Sequence, residues 1–232
     1  MVIMTGPTAD LAGLNDATDR LVADVATLDD AAVAGSSHLP GWTRGHVLAH
    51  LARNADALVN VFQGRPMYPS LEARNADIER DAPRPLAVHL ADLRDSADRL
   101  ATAAAGLTDD EWRAVVTLRD GQRDAAAVIP LRRWVEIELH GIDLDIGRTI
   151  ASLSSAFLDR APDYLARRLA DHPAVPPLEL RAEDGRSWRT GRAGAEPQVV
   201  VGTTAALVGW LSGRTAGSGL TTAEPLPELP GL

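Results

Sequence analysis

Two histidines and one glutamate carry the chemistry legible in this 232-residue chain. His50 lies in the run Thr43-Arg44-Gly45-His46-Val47-Leu48-Ala49-His50-Leu51, and Glu136 and His140 lie in Trp134-Val135-Glu136-Ile137-Glu138-Leu139-His140. A Glu-x-x-x-His spacing on a helix puts both side chains on one face, one turn apart, where a single divalent ion can touch both. His50, far away in the chain, supplies a third donor. Two imidazoles and a carboxylate leave the fourth tetrahedral position of a zinc ion open to water or substrate, and that opening separates a reactive zinc from a structural one. The expected ligand set is His50, Glu136 and His140, and the expected class is a metalloenzyme.

Other polar residues near these three are weighed against ordinary roles. His46 precedes His50 by four, which is itself ligand spacing; as a fourth ligand it would close the site, so His46 is expected to pack or to support a ligand from outside. Asp143 follows His140 by three and could fix its tautomer through a hydrogen bond, with a plain surface helix pair as the alternative. Arg133 precedes Glu136 by three and shares the face, with the same alternative. Glu138 points away by helical phase and should be solvated or paired. His38, His89 and His172 read as ordinary hydrogen-bonded histidines.

The elements that must position these residues follow from periodicity and breakers. Apolar positions at the helical period mark a helix from Pro7 to about Leu28. Thr43 is a good N-cap for a second helix running to Phe62 or Gln63, with Val47, Leu48, Leu51, Leu58 and Phe62 inward. A short helix covers Leu71 to Arg80, and Pro83 and Pro85 precede a long amphipathic one from Leu86 to Ala105. The pattern Thr108-Asp109-Asp110-Glu111 is a capping box. Val115 to Leu118 and Ala126 to Ile129 are expected to pair as a hairpin, after which Pro130 opens the helix carrying Glu136 and His140, ending near Gly147. A further helix spans about Leu153 to Ala170. Beyond the Pro-rich joint His172 to Pro177 come strands over Leu178 to Ala182, Ser187 to Thr190 and Val199 to Val201, then a helix from about Thr204 to Leu211 and an extended tail from Pro225. The expectation is a two-domain α plus α/β chain: a metal-binding helical bundle over 1–172 and a small α+β domain over 173–232.

Composition narrows the function classes. A formal net charge of −9 gives no basic surface for nucleic acid, and no stretch is apolar and long enough to span a bilayer. No export signal is evident, so a cytoplasmic protein acting on a small molecule is expected, while oligomeric state stays open. There is no cysteine, so any thiol chemistry must come from a bound cofactor. Every one of the 23 Lys and Arg positions is arginine.

The segments Gly41 to His50 (GWTRGHVLAH), Pro66 to Asn75 (PMYPSLEARN), His140 to Leu144 (HGIDL) and Gly213 to Leu220 (GRTAGSGL) resemble the mycothiol-dependent maleylpyruvate isomerases, in order and across nearly the whole chain. The resemblance implies an N-terminal four-helix bundle of the DinB-like metal-binding type and a smaller C-terminal α+β domain similar to sterol carrier proteins. It implies Zn2+ and mycothiol as cofactors. It matches His50, Glu136 and His140 to the zinc ligands, Arg214 to an arginine implicated in catalysis, and Arg74 and Asp143 to polar residues lining the cleft. The implied reaction turns the cis alkene of maleylpyruvate into the trans alkene of fumarylpyruvate, a step of gentisate degradation, by reversible addition of the mycothiol thiolate. Two other readings stand beside it: a mycothiol S-transferase on the same scaffold, and a non-catalytic metal- or ligand-binding protein. Glu138 and the small Gly141 depart from the family pattern and bear on pocket shape.

Overall fold

The computed structural model describes residues 7–194 and 196–231, and the chain divides into two compact units, 1–147 and 148–232. In the first unit the helices are α1 (Pro7–Val25), α2 (Asp30–Ala34), α3 (Arg44–Phe62), α4 (Leu71–Asp81), α5 (Leu86–Ala105), α6 (Asp109–Arg113) and α7 (Ile129–Asp143). Strands β1 (Val115–Thr117) and β2 (Arg123–Ala125) pair antiparallel between α6 and α7. The long helices α1, α3, α5 and α7 close a ring, with α1 against α5 and α7 and α3 against the same two. Their inward stripes, among them Leu21, Val25, Leu48, Leu51, Leu58, Ile129, Ile137 and Leu139, are buried. Burial of this apolar surface holds together four helices that are individually marginal in water. The expected bundle is present.

Caps and one glycine set where α3 starts. Thr43 Oγ1 accepts from the His46 amide and the His46 ring accepts from the Thr43 amide, which closes a capping box. A Cβ on Gly45 would lie 2.1 Å from the Ala82 carbonyl oxygen, so only glycine lets this first turn approach the end of α4. The Arg44 guanidinium donates to the carbonyls of Leu144 (2.7 Å), Asp145 (2.9 Å) and Ala32 (3.2 Å), and the His38 amide donates to Asp143 O at 2.8 Å. The start of α3 is thereby tied to the end of α7.

The second unit contains α8 (Ser155–Arg168), strands β3 (Leu178–Ala182), β4 (Ser187–Thr190) and β5 (Gln198–Gly202), helix α9 (Thr204–Leu211) and strand β6 (Thr221–Thr222). Its sheet has the order β4-β3-β5-β6, with β3 and β5 parallel and the other pairs antiparallel. Helix α8 packs on α9 and β4, burying Phe157, Ala161 and Leu165.

Two expectations need correction. The division falls after Gly147 and not at 172, because the apolar face of α8 is covered by α9 and β4, and the Pro-rich joint runs inside the second unit. The second hairpin strand is Arg123–Ala125, while Ala126–Val128 is already a 3-10 turn leading into α7. Helix α2 and strand β6 are additional to the expected elements.

Candidate metal centre

Helices α3 and α7 bring His50, Glu136 and His140 together. His50 Nε2 lies 3.1 Å from Glu136 Oε2 and 3.1 Å from His140 Nε2, and His140 Nε2 lies 3.3 Å from Glu136 Oε2. The three donor atoms form a nearly equilateral triangle. Zinc bonds of about 2.0–2.2 Å in a tetrahedron require ligand atoms about 3.3–3.6 Å apart, so the triangle is close to what one small cation needs. Protons serve it poorly. A hydrogen between two of these atoms leaves the third facing a lone pair or a second hydrogen, whereas one cation satisfies all three.

The charge states favour the same use. Burial pushes His50 down to about 4, against the opposing hydrogen bond to Glu136, so its ring is neutral at physiological pH. For Glu136, burial acts upward but the hydrogen bonds from His140 and His50 outweigh it, and the carboxyl is held well below its usual range. His140 goes the other way: burial lowers it, yet the hydrogen bonds to Asp143 and Glu136 prevail and raise it. Near neutral pH the centre holds a carboxylate, a neutral imidazole, and a second imidazole that keeps its proton more firmly than usual.

Asp143 is buried, with Oδ2 2.8 Å from His140 Nδ1, the contact that its spacing predicts. A carboxylate there holds the Nδ1 hydrogen and leaves the Nε2 lone pair facing the triangle. Arg74, on α4, puts Nη2 3.1 Å from His50 Nδ1 and its guanidinium 5.8 Å from the centre of the Tyr68 ring. Its Nε is buried and has no hydrogen-bond partner among the described residues.

His46 is not part of the triangle. Its Nδ1 is 2.7 Å from Thr43 Oγ1, its Nε2 is 3.3 Å from Glu79, and its ring stacks on Trp42, so it serves as a helix cap. His38 pairs with Asp145, His89 contacts the Ala82 carbonyl, and His172 accepts from the Ala174 amide. Glu138 is buried and paired, accepting from Arg20 (2.9 Å) and Trp134 Nε1 (3.3 Å). Arg133 makes no surface pair: it is 2 % exposed, donates to Asn54 Oδ1 at 2.9 Å, and is lowered by burial to about 10. Arg214 belongs to the second unit, where its Nη1 donates to the Ser212 carbonyl at 2.6 Å. Spacing does not single out Tyr68. Burial pushes its hydroxyl up, and its ring lies against the Arg74 guanidinium, which in turn contacts His50. A tyrosine in an irregular segment carries no periodic signal that could mark it.

The family model described as "Mycothiol maleylpyruvate isomerase N-terminal domain" matches residues 14–145, more than half of the chain and all three members of the triangle. The chain belongs to the mycothiol-dependent maleylpyruvate isomerase family. A crystal structure of the mycothiol-dependent maleylpyruvate isomerase superposes with a TM-score of 0.86 at 26% sequence identity, covering 97% of this chain and 97% of that one. A crystal structure of a histidine-to-alanine mutant of that isomerase gives a TM-score of 0.85 with the same identity and coverage. No curated protein matches the chain. Likeness over nearly the full length of both chains extends the family assignment to both units, and the chain is an enzyme of this kind. No helix among the described residues is long and apolar enough to cross a membrane.

Proposed function

We propose that the protein is a zinc- and mycothiol-dependent cis-trans isomerase that converts maleylpyruvate to fumarylpyruvate. The single observation that carries this reading is the donor triangle of His50, Glu136 and His140, with edges of 3.1, 3.1 and 3.3 Å, inside a chain of this family. Three protein ligands leave room for one more, the arrangement of a reactive zinc. When bound, zinc and mycothiol together supply a thiolate at neutral pH, whose reversible addition to the cis alkene turns its double bond into a single bond free to rotate.

The chain's own residues have separable parts in this. His50, Glu136 and His140 would hold the metal, and Asp143 keeps His140 presenting Nε2. Charge develops on the pyruvoyl oxygen while the alkene is saturated. A permanently charged planar guanidinium is suited to such an oxygen and to a carboxylate. Arg74, beside His50, is the proposed clamp for a substrate carboxylate. Arg214 is the proposed stabiliser of the developing charge, and this assignment rests on family resemblance.

The test is to add zinc and mycothiol to the purified protein and follow both maleylpyruvate and free thiol. Loss of the cis substrate with the thiol conserved is expected. Consumption of one thiol per substrate would instead identify an S-transferase, and no turnover with the metal bound would identify a binding protein. His50→Ala or Glu136→Ala should lose zinc and activity together; full zinc content in both variants would overturn the ligand set.

A further inference from the structure

The first unit contains a groove of about 560 Å³ between the α3–α4 connection and the β1 hairpin. Arg65, Tyr68 and Leu71 line one side, and Val115, Thr117 and Arg119 the other. The two sides are tied together where the Arg119 amide donates to Met67 Sδ at 3.1 Å, and Asn60 Nδ2 of α3 anchors the same Met67 by donating to its carbonyl at 3.3 Å. Leu71 and Val115, at 55% and 60% exposure, are among the few large apolar side chains left open to solvent, and both face this groove.

One wall is shared with the metal centre. Tyr68 lines the groove, the Arg74 guanidinium lies against its ring, and the same guanidinium reaches His50 Nδ1 at 3.1 Å. A ligand filling the groove therefore ends two side chains, Tyr68 and Arg74, away from His50 of the donor triangle.

Size and chemistry choose among ligands. A groove of this volume is in the range that takes a drug-sized molecule, far more than a short dicarboxylate needs. Its lining alternates donors (Arg65, Arg119, Thr117) with apolar surface (Met67, Leu71, Val115). That mixture suits sugar rings, whose edges carry hydroxyls and whose faces are apolar. Mycothiol has such a glycosidic body, joined to one cysteinyl arm. We infer that the groove holds the glycosidic body of the thiol cofactor, with Tyr68 at the turn where the sulfur arm enters the metal centre. This inference rests on the mycothiol reading of the site.

The experiment uses zinc-loaded full-length protein and two probes without a free thiol: the glucosaminyl-inositol disaccharide and S-methylmycothiol, both titrated calorimetrically. Thr117→Trp fills the groove from an exposed strand position where an aromatic residue is readily accommodated. Arg119→Ala removes a side-chain donor without filling, so the test survives misfolding of the first variant. Both probes should bind the wild type and bind Thr117→Trp at least about tenfold more weakly, with Arg119→Ala intermediate. In turnover, KM for mycothiol should rise in parallel, while zinc content, kcat at saturating thiol and KM for maleylpyruvate stay unchanged. An unaltered thiol KM in both variants of an active enzyme overturns the groove assignment and leaves the isomerase reading intact. Failure of both probes to bind the wild type, or a rise in KM for maleylpyruvate alone, overturns it too, the latter in favour of a substrate site. Wild-type protein that binds the disaccharide, loses it in Thr117→Trp and fails to isomerise would keep the groove and overturn the reaction.

Discussion

The Arg74 guanidinium contacts the ring nitrogen of His50 that faces away from the donor triangle, at 3.1 Å. A guanidinium only donates, so Nδ1 accepts and the His50 hydrogen sits on Nε2, directed at Glu136. A cation at the triangle needs the Nε2 lone pair, which moves that hydrogen to Nδ1, where it would face the guanidinium. Metal loading and the Arg74–His50 contact are therefore in competition. Arg74→Ala should bind zinc more tightly than wild type, by roughly fivefold for one lost hydrogen bond of about 1 kcal/mol. The same variant should lose affinity for maleylpyruvate. Chelator competition checks the first effect and substrate KM the second; weaker zinc binding in Arg74→Ala would show that the arginine supports the metal.

Asp143 has the opposite sign. Its carboxylate holds His140 Nδ1 at 2.8 Å, so removing it frees the ring to rotate and to take the other tautomer. Asp143→Ala should lose roughly 10- to 100-fold in zinc affinity, the usual effect of deleting a group that orients a metal ligand. The helical circular dichroism should be unchanged. Wild-type affinity in this variant would reduce Asp143 to a helix-end pair.

The pH dependence of zinc binding should report a single proton. Of the three donors, only His140 is a histidine raised above its ordinary value of 6.5, because its hydrogen bonds to Asp143 and Glu136 overcome burial. His50 is already neutral down to about 4, and Glu136 is held ionised well below the usual carboxylate range. A raised pKa means that the proton competes with the metal from a higher pH than for a free imidazole. Affinity should therefore be full above the His140 pKa and fall about tenfold per pH unit below it. A plot of log affinity against pH with a slope near two between about pH 5 and 6 would mean that both imidazoles release a proton on loading, contrary to the burial of His50.

The Glu136–His140 edge of the donor triangle is legible in the sequence because its signal is local, whereas His50 joins it from far away in the chain. Glu136 and His140 are one helical turn apart, the helix around them opens at Pro130, and the bundle follows from apolar periodicity. His46 shows where local signals mislead. Its spacing to His50 is that of a ligand pair, but Thr43 and His46 are also N-cap and N3 of the same helix, and the capping box takes the ring. Periodicity and breakers put the domain boundary at the Pro-rich joint because proline is the visible breaker; that α8 finds its apolar partners in α9 and β4 is a long-range fact absent from its own sequence. The hairpin differs for a similar reason. The run Ala125-Ala126-Ala127-Val128-Ile129 reads as strand on composition, yet its end is needed to open α7, so the polar residues Arg123 and Asp124 make the pairing. The contact of Arg74 with His50 joins α4 to α3 and has no spacing rule at all.

Arg214 tests the part of the mechanism that resemblance alone supplies. Deleting a cation that stabilises charge only in the transition state should slow turnover by roughly 10²-fold or more. Arg214→Ala should keep its zinc, since every member of the donor triangle lies in the first unit. The split between kcat and metal content is the measurement that matters. Wild-type turnover with zinc retained would remove Arg214 from the mechanism.

Gly45 links packing to the site. A methyl group there would meet the Ala82 carbonyl oxygen at 2.1 Å, a backbone atom that cannot swing aside. Either α4 or the first turn of α3 must move, at a cost of about 1–3 kcal/mol for overpacking. His50 follows just over one turn later on α3, and Arg74 reaches it from α4. Gly45→Ala should therefore lower the unfolding temperature of zinc-free protein and weaken zinc binding in the same variant. If only stability falls, α3 pivots without carrying His50 out of the triangle, and the first turn is less rigidly coupled to the metal centre than its capping box and Arg44 clamp require.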